Sequence, residues 1–250
     1  MTRHAGRWNA RALGWLLWIL VLVPVCPKEA EGYVIPPEQL LEFMAENVAG
    51  YDTLGLSWEH RSGALEAGEE PAIVNLWYRS PEDVRVEIRN GRYDPNPGAP
   101  GAGLLELFCG NRHRIERFLA RHGLDLQTSA YTRLDGTVAY RIGRNGPAAP
   151  VLLLEKSRFI PLLFRYEPDD GRVGETTEIL FREYSRAGDG WFPHEILYRA
   201  ASGVTGVYKV LDLKKNEPLP AGFSSSARPA TGEEERLERV IRAFEEKYGD

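Results

Sequence analysis

Residues 177–200 read TEILFREYSRAGDGWFPHEILYRA, and this segment carries the most information about the fold. Two segments rich in branched and aromatic residues, about 175–184 and 191–201, lie on either side of Gly188-Asp189-Gly190. Such segments around a glycine-containing turn predict an antiparallel hairpin. Ile179, Leu180 and Phe181 are consecutive, so both faces of the first strand are apolar. A single sheet with one solvated face alternates instead, so we expect both faces to be covered.

Further strand-like segments extend from this hairpin in both directions. The turn signals Asn90-Gly91, Asp169-Asp170-Gly171 and Ser202-Gly203 punctuate the sequence. The other predicted strands are approximately 56–61, 72–79, 84–89, 137–143, 151–156, 161–167 and 203–213. Their number predicts a mainly β (α+β) protein, and helices, a bound apolar ligand or a partner are the candidates for the second covering layer.

Helical patterns occur before the first strand and in the middle of the chain. Pro36-Pro37 precedes apolar residues at helical spacing up to Val48, and Gly50 ends that pattern. The loop 94–103, which is rich in proline and glycine, precedes a second helical region in which Asn111 is a candidate N-cap and Gly123 a candidate stop.

Residues 1–32 have the pattern of a secretory signal peptide. Three arginines precede Leu13–Val25, an uncharged apolar run that is too short to span a bilayer as a helix. Cleavage before Tyr33 would release a mature protein into the periplasm. The alternative is lipidation of Cys26 and a membrane-anchored lipoprotein, but the rigid Pro24 and branched Val25 before this cysteine do not favour it.

The composition of the mature chain limits its partners. Removing residues 1–32 takes four of the 31 basic and two of the 36 acidic residues, which leaves 27 and 34 and a net charge of about −7. We expect no nucleic acid partner, because nucleic acid binding needs a basic surface and the sequence shows none. Cys109 would be the remaining cysteine, and we expect it to be a small buried side chain rather than a nucleophile.

The C-terminal residues 224–250 form a separate region. Residues 224–232 read SSSARPATG, which is typical of a linker, and Thr231 with Glu234 fits a helix capping box. Apolar residues from Leu237 to Tyr248 then form one stripe of a predicted amphipathic helix. This helix either docks on the sheet or binds another protein.

The sequence contains no catalytic signature. His113 and His122 are nine residues apart, which does not suit two metal ligands on one helical face. Asp169-Asp170 is better explained by turn chemistry than by acid–base catalysis. We therefore predict neither an enzyme nor a cofactor, and no metal site.

The C-terminal half carries three segments that look like the terminal hairpins of a known family. They are Thr177–Tyr184, then Gly190-Trp191-Phe192-Pro193-His194, then Asn216-Glu217-Pro218-Leu219-Pro220 with Phe223, and Leu153–Leu163 is similar to the hairpin before them. In these segments the chain resembles the LolA-like superfamily of periplasmic lipoprotein-sorting proteins and lipid carriers. The resemblance covers about 33–223 and implies an incomplete antiparallel β-barrel, a half-barrel, with helices as a lid over a hydrophobic cavity.

The resemblance also implies a function in which the cavity binds acyl chains of lipids or lipoproteins. Large apolar residues in the middle of the predicted strands are the candidate lining: Trp58, Leu76, Tyr78, Val86, Leu153, Phe164, Phe181 and Tyr198. The arginine that functions in the family has four candidate positions here: Arg61, Arg79, Arg85 and Arg89.

Two hypotheses for the function follow. The first is a periplasmic carrier or chaperone that binds lipid or lipoprotein acyl chains and works with inner- or outer-membrane protein partners in transport. The second is a non-catalytic periplasmic scaffold or accessory subunit, whose protein partner would bind the sheet edge or the stripe Leu237–Tyr248.

Overall fold

A computed structural model describes residues 34–63, 70–80, 83–90, 101–168, 176–200, 203–220 and 223. The predicted signal peptide 1–32, Cys26, the turn Asp169-Asp170-Gly171 and the predicted helix in 224–250 lie outside these residues. Within the described part of the chain, no helix is both long and apolar enough to span a bilayer.

Three helices and ten strands are present in the described ranges. The helices are α1 (Pro37–Asn47), a 3-10 helix (Gly101–Phe108) and α2 (Arg112–Arg121). The strands are β1 (Leu54–Ser62), β2 (Ala72–Ser80), β3 (Asp83–Asn90), β4 (Ser129–Leu134), β5 (Thr137–Ile142), β6 (Val151–Glu155), β7 (Pro161–Tyr166), β8 (Thr177–Ala187), β9 (Gly190–Ala200) and β10 (Gly203–Lys215).

The ten strands form one antiparallel sheet in the order β3-β2-β1-β10-β9-β8-β7-β6-β5-β4. The chain builds the sheet from hairpins, and β10 returns to pair with β1 from Leu54↔Lys215 to Ser62↔Gly206. Among the described residues, the terminal strands β3 and β4 are edges that do not pair with each other, so the barrel is open. The predicted mainly β, incomplete antiparallel half-barrel is therefore confirmed.

The helices pack on one face of this sheet, which we call the covered face. The buried residues of all three helices and of that face form one apolar cluster. The segments on either side of α1 contact strands near opposite ends of the sheet. The Ser129 hydroxyl of edge strand β4 donates to the Ile35 carbonyl, 2.8 Å away, and the Tyr51 ring meets the Tyr78 ring of β2, next to edge strand β3, edge to face. The sheet must curve around the helices to make both contacts.

The local signals of the helices are those expected from the sequence. The Asn111 side chain accepts a hydrogen bond from the Arg114 backbone N–H at 3.1 Å and so caps α2. Gly123 follows α2 with a positive φ of 73° and ends it. Pro37 begins α1, where the missing N–H of proline is not needed.

The opposite, outer face carries a second and smaller apolar cluster. Its buried members are Ala139, Val151, Leu153, Leu163 and Leu180, which come from strands β5 to β8. This cluster explains why several strands are apolar on both faces. We expected both faces of the sheet to be buried. The helices bury the covered face, and the apolar side chains of this second cluster bury one another on the outer face.

Candidate functional site

Six of the eight predicted lining residues meet on the covered face. Each is at most 7% exposed and belongs to the large apolar cluster: Trp58, Leu76, Tyr78, Phe164, Phe181 and Tyr198. Helical side chains contact them directly. The Phe118 ring of α2 lies 5.5 Å from the Phe164 ring, and the Phe108 ring of the 3-10 helix lies 5.3 Å from the Phe181 ring. The candidate acyl-chain site is thus occupied by the protein's own helices.

The other two predicted residues lie elsewhere. Leu153 pairs with Arg141 and Leu163 and belongs to the outer-face cluster. Val86 pairs with Leu76 and so shares the covered face, but it lies on the edge strand β3 and is 39% exposed. Of the eight predicted residues, Val86 alone is therefore both on the covered face and exposed at the β3 edge.

A polar cluster connects the helices to the sheet inside this apolar surrounding. Arg114 of α2 donates from Nε to Glu106 Oε2 at 2.8 Å and from Nη2 to Glu106 Oε1 at 2.7 Å. The Tyr78 hydroxyl of β2 donates to Glu106 Oε1 and lies 3.2 Å from Arg114 Nη2. We call Tyr78, Glu106 and Arg114 the polar clasp, because they link β2, the 3-10 helix and α2.

The electrostatics of the clasp keep its ion pair charged. Burial of the Glu106 carboxyl acts to raise its pKa, but the hydrogen bonds from Arg114 and Tyr78 outweigh burial and hold this pKa below the ordinary value. Burial and the neighbouring carboxylate raise the pKa of Tyr78, so the phenol stays a donor at physiological pH. The bond to Glu106 raises the pKa of Arg114.

An aromatic group lies on the covered face where β1, β9 and β10 are adjacent. The Trp58 and Tyr208 rings are 5.3 Å apart, and the Tyr198 and Tyr208 rings are 5.2 Å apart. The indole Nε1–H of Trp58 is buried and has no acceptor among the described residues. An unpaired buried donor costs about 1–3 kcal/mol, so it would be stabilised by any carbonyl oxygen brought to this place.

The four arginines considered from the sequence all lie near the surface of β1 to β3. Arg61 pairs with Glu59 at 2.7 Å, and Arg79 pairs with Asp83 at 3.0 Å. Arg114, which the sequence analysis did not name, contacts the buried Glu106 and Tyr78. Its signal was available, since Arg114 follows the N-cap Asn111 and lies eight residues after the acidic Glu106 in an apolar run.

Two of the histidines, His122 and His194, hydrogen-bond to neighbouring groups. His122 Nδ1 lies 2.8 Å from the Phe118 carbonyl, and His194 Nε2 lies 2.6 Å from the Ser185 hydroxyl on the neighbouring strand. Within the described ranges, no carboxylate hydrogen-bonds to His194. In that same part of the chain no group of three metal-ligating side chains converges.

Comparison with known proteins shows that this chain is similar in fold to several solved structures. No family model matches the chain, and no curated protein matches it. A solved domain from Vibrio parahaemolyticus, assigned as an outer membrane lipoprotein-sorting protein, is 13% identical with a TM-score of 0.46, over 75% of this chain and 95% of that one. A LolA superfamily protein from Nitrosomonas europaea is 14% identical with a TM-score of 0.44, over 75% and 96%.

A third solved structure is a DUF1329 family protein from Desulfovibrio piger. It is 14% identical to this chain with a TM-score of 0.46, over 76% of this chain and 97% of that one. The likeness concerns the fold alone. The LolA-like superfamily, which the sequence resembles, is represented among these neighbours.

Proposed function

We propose that the protein is a non-catalytic, exported carrier that binds an acyl chain of a lipid or lipoprotein between the covered face and the helices. The observation that carries this proposal is the composition of that face. It is apolar and aromatic from β2 to β7, and short helices rather than a continuous layer lie over it. An acyl chain that displaced these helices would pack against an apolar surface.

The energetics of such an exchange limit how much of the helical layer an acyl chain can displace. Burying a chain of about 14 methylenes contributes roughly 11 kcal/mol at about 0.8 kcal/mol each, before the loss of freedom on binding. Each buried helical side chain that the acyl chain exposes, such as Phe108 or Phe118, costs about 1.5–3 kcal/mol, so gain and cost are of similar size only when a few of them are displaced. A carrier needs this balance because it must also release its cargo.

Two polar features fit the proposal. The polar clasp holds the 3-10 helix and α2 to β2 by directional bonds, so the helices have a defined closed position. The Trp58 N–H offers a donor to the ester or amide carbonyl at the head of an acyl chain. Such a bond contributes about 1 kcal/mol, or roughly fivefold in affinity.

Displacement of a fluorescent fatty acid by lipids, together with native mass spectrometry of protein purified from membranes, tests the proposal. We expect saturable binding that strengthens with chain length. Trp58→Phe should weaken binding of a fatty acid methyl ester about fivefold, whereas Trp191→Phe, outside the covered face, should not. Absence of co-purified lipid and of probe binding would refute the carrier function.

The edge strand β3 favours a second candidate function, that of a scaffold or accessory subunit. Val86 and Ile88 on this edge are 39% and 52% exposed. An edge strand with exposed apolar side chains can pair with an extended segment of another protein. Deleting 224–250 distinguishes the two possible partner sites of a scaffold. A partner that binds the predicted C-terminal helix would be lost. A partner that binds β3 would be kept, and so would an acyl chain.

A further inference from the structure

A cavity of about 290 Å³ lies on the sheet beside β1, β2 and β10. It is lined by Gly55, Leu56, Ser57, Asn75, Trp77, Arg89, Asp212 and Lys214. Because side chains alternate along a strand, Gly55 and Ser57 face away from Leu54 and Leu56, which belong to the covered core. The cavity therefore opens on the outer face and is separate from the candidate acyl-chain site.

The cavity exists because its floor is made of small residues. Gly55 lies between Trp77 on β2 and Lys214 on β10, and Ser57 lies between Asn75 and Asp212. A Cβ at Gly55 would meet Lys214 Cβ at 3.5 Å and Trp77 Cδ1 at 3.6 Å, which are ordinary contacts. Packing therefore does not require glycine here, and its effect is to leave space between an indole and a lysine stem.

Asn75 places a polar side chain at the base of this cavity, and no described residue hydrogen-bonds to its amide. The residue is only 7% exposed, it lines the cavity, and its side-chain amide makes no hydrogen bond to another described residue. An amide offers an acceptor and two donors at one position. The amide faces the opening of the cavity and is not among the fully buried groups that lack a partner, so it can bond to water or to a ligand that enters there.

The charges around the opening are mixed rather than of one sign. Arg89 and Lys214 are basic and Asp212 is acidic, and Lys214 also lies 3.9 Å from Glu217. A site for a phosphate or carboxylate would concentrate positive charge. This site instead alternates donors and acceptors around Asn75, beside the Trp77 indole, whose ring is also approached by the Arg85 guanidinium at 5.7 Å.

We propose that this cavity binds a saccharide ring. The C–H face of a sugar packs on an indole, while its hydroxyls both donate and accept, which matches an amide, a carboxylate and a guanidinium placed around an aromatic wall. The volume is close to the lower end of small-molecule sites, roughly 300 Å³, and suits one or two sugar rings. The exported protein would thereby recognise a glycan with its outer face.

Titration of the isotopically labelled protein with glucose and N-acetylglucosamine, followed in two-dimensional 15N–1H spectra, tests the site. We expect millimolar binding that shifts the Asn75 side-chain amide and the Trp77 indole N–H. Asn75→Leu and Trp77→Ala should each weaken it about tenfold or more. Gly55→Ala should keep the fold, since its Cβ makes only ordinary contacts, and Gly55→Val should narrow the cavity and weaken binding.

Trp191→Ala is the matched control, because Trp191 is also partly exposed and stacked by an arginine but lies outside the cavity. Equal loss of binding in this control and in Trp77→Ala would overturn the assignment. A response to inorganic phosphate at the same residues with none to either sugar would overturn it as well, since the site would then be an anion site. Unshifted Asn75 and Trp77 resonances with both sugars would do the same.

Discussion

Arg114 holds Glu106 with two nitrogen atoms at 2.8 and 2.7 Å, in a place where the Glu106 residue is only 2% exposed. The two residues belong to different helices, and the Tyr78 hydroxyl joins them to β2. A buried charge without a partner is strongly destabilising, so this pair constrains where α2 and the 3-10 helix can lie. The helices over the apolar face are therefore positioned by a contact that can be broken.

Removing one member of this pair should destabilise the protein more than removing both. Arg114→Met leaves the Glu106 carboxylate buried with only Tyr78 as donor, and we expect a loss of about 2–4 kcal/mol in the free energy of unfolding. The double variant Glu106→Leu/Arg114→Met should recover part of this loss, because no charge is then buried unpaired. Urea unfolding of the two single variants and the double variant gives the coupling energy. Additive losses would contradict an interacting pair.

Acidification should weaken the same contact. The pKa of Glu106 is lower in the folded protein than its ordinary value of 4.5, so the pair stabilises the fold fully above that value. This contribution is lost as the pH falls through the lower, folded-state pKa. Between about pH 5 and pH 3, wild type should therefore lose more stability than Glu106→Gln, which does not titrate. Parallel stability curves for the two proteins would show that Glu106 is not responsible.

The sequence predicted most of the sheet because nine of the strands carry dense branched and aromatic residues between turn signals. It missed β4, whose sequence Ser-Ala-Tyr-Thr-Arg-Leu contains no buried residue and reads as loop. Strand β4 forms because it pairs with β5 from Ser129↔Ile142 to Leu134↔Thr137. Pairing with a neighbour is not visible in the composition of the strand itself.

The sequence predicted that the candidate site is apolar and lies on the sheet, but it did not identify every residue of the site. In Leu152-Leu153-Leu154 the face of each leucine depends on alternation, and the sequence alone does not say which face is covered. Leu152 and Leu154 belong to the covered core and Leu153 to the outer cluster. The polar clasp needs Glu106 and Tyr78, which are 28 residues apart, to meet in space. No local pattern encodes such a contact.

A steric test of the connection between α1 and the sheet is available at Gly190. A Cβ on Gly190 would lie 1.9 Å from the Val48 carbonyl oxygen, so the backbone after α1 passes directly over the start of β9. Gly190→Ala should displace this segment and destabilise the protein by about 3 kcal/mol or more. Gly136→Ala is the control: its Cβ meets nothing within 4 Å, and only the strain of its positive φ of 85° remains. Equal thermal stability of the two variants would contradict the close approach.

The Cys109 thiol should report whether the helices move when an acyl chain binds. Cys109 follows the 3-10 helix, is 5% exposed, and has a raised pKa because burial disfavours the thiolate. In a Cys26→Ser background we expect slow reaction with a thiol reagent such as dithionitrobenzoate in the native protein and fast reaction in urea. If an acyl chain takes the place of the helices on the covered face, saturating fatty acid should accelerate native labelling several-fold while circular dichroism shows the fold intact. A rate that stays the same or falls, under conditions where the fluorescent probe shows binding, would mean that the chain binds without displacing the 3-10 helix.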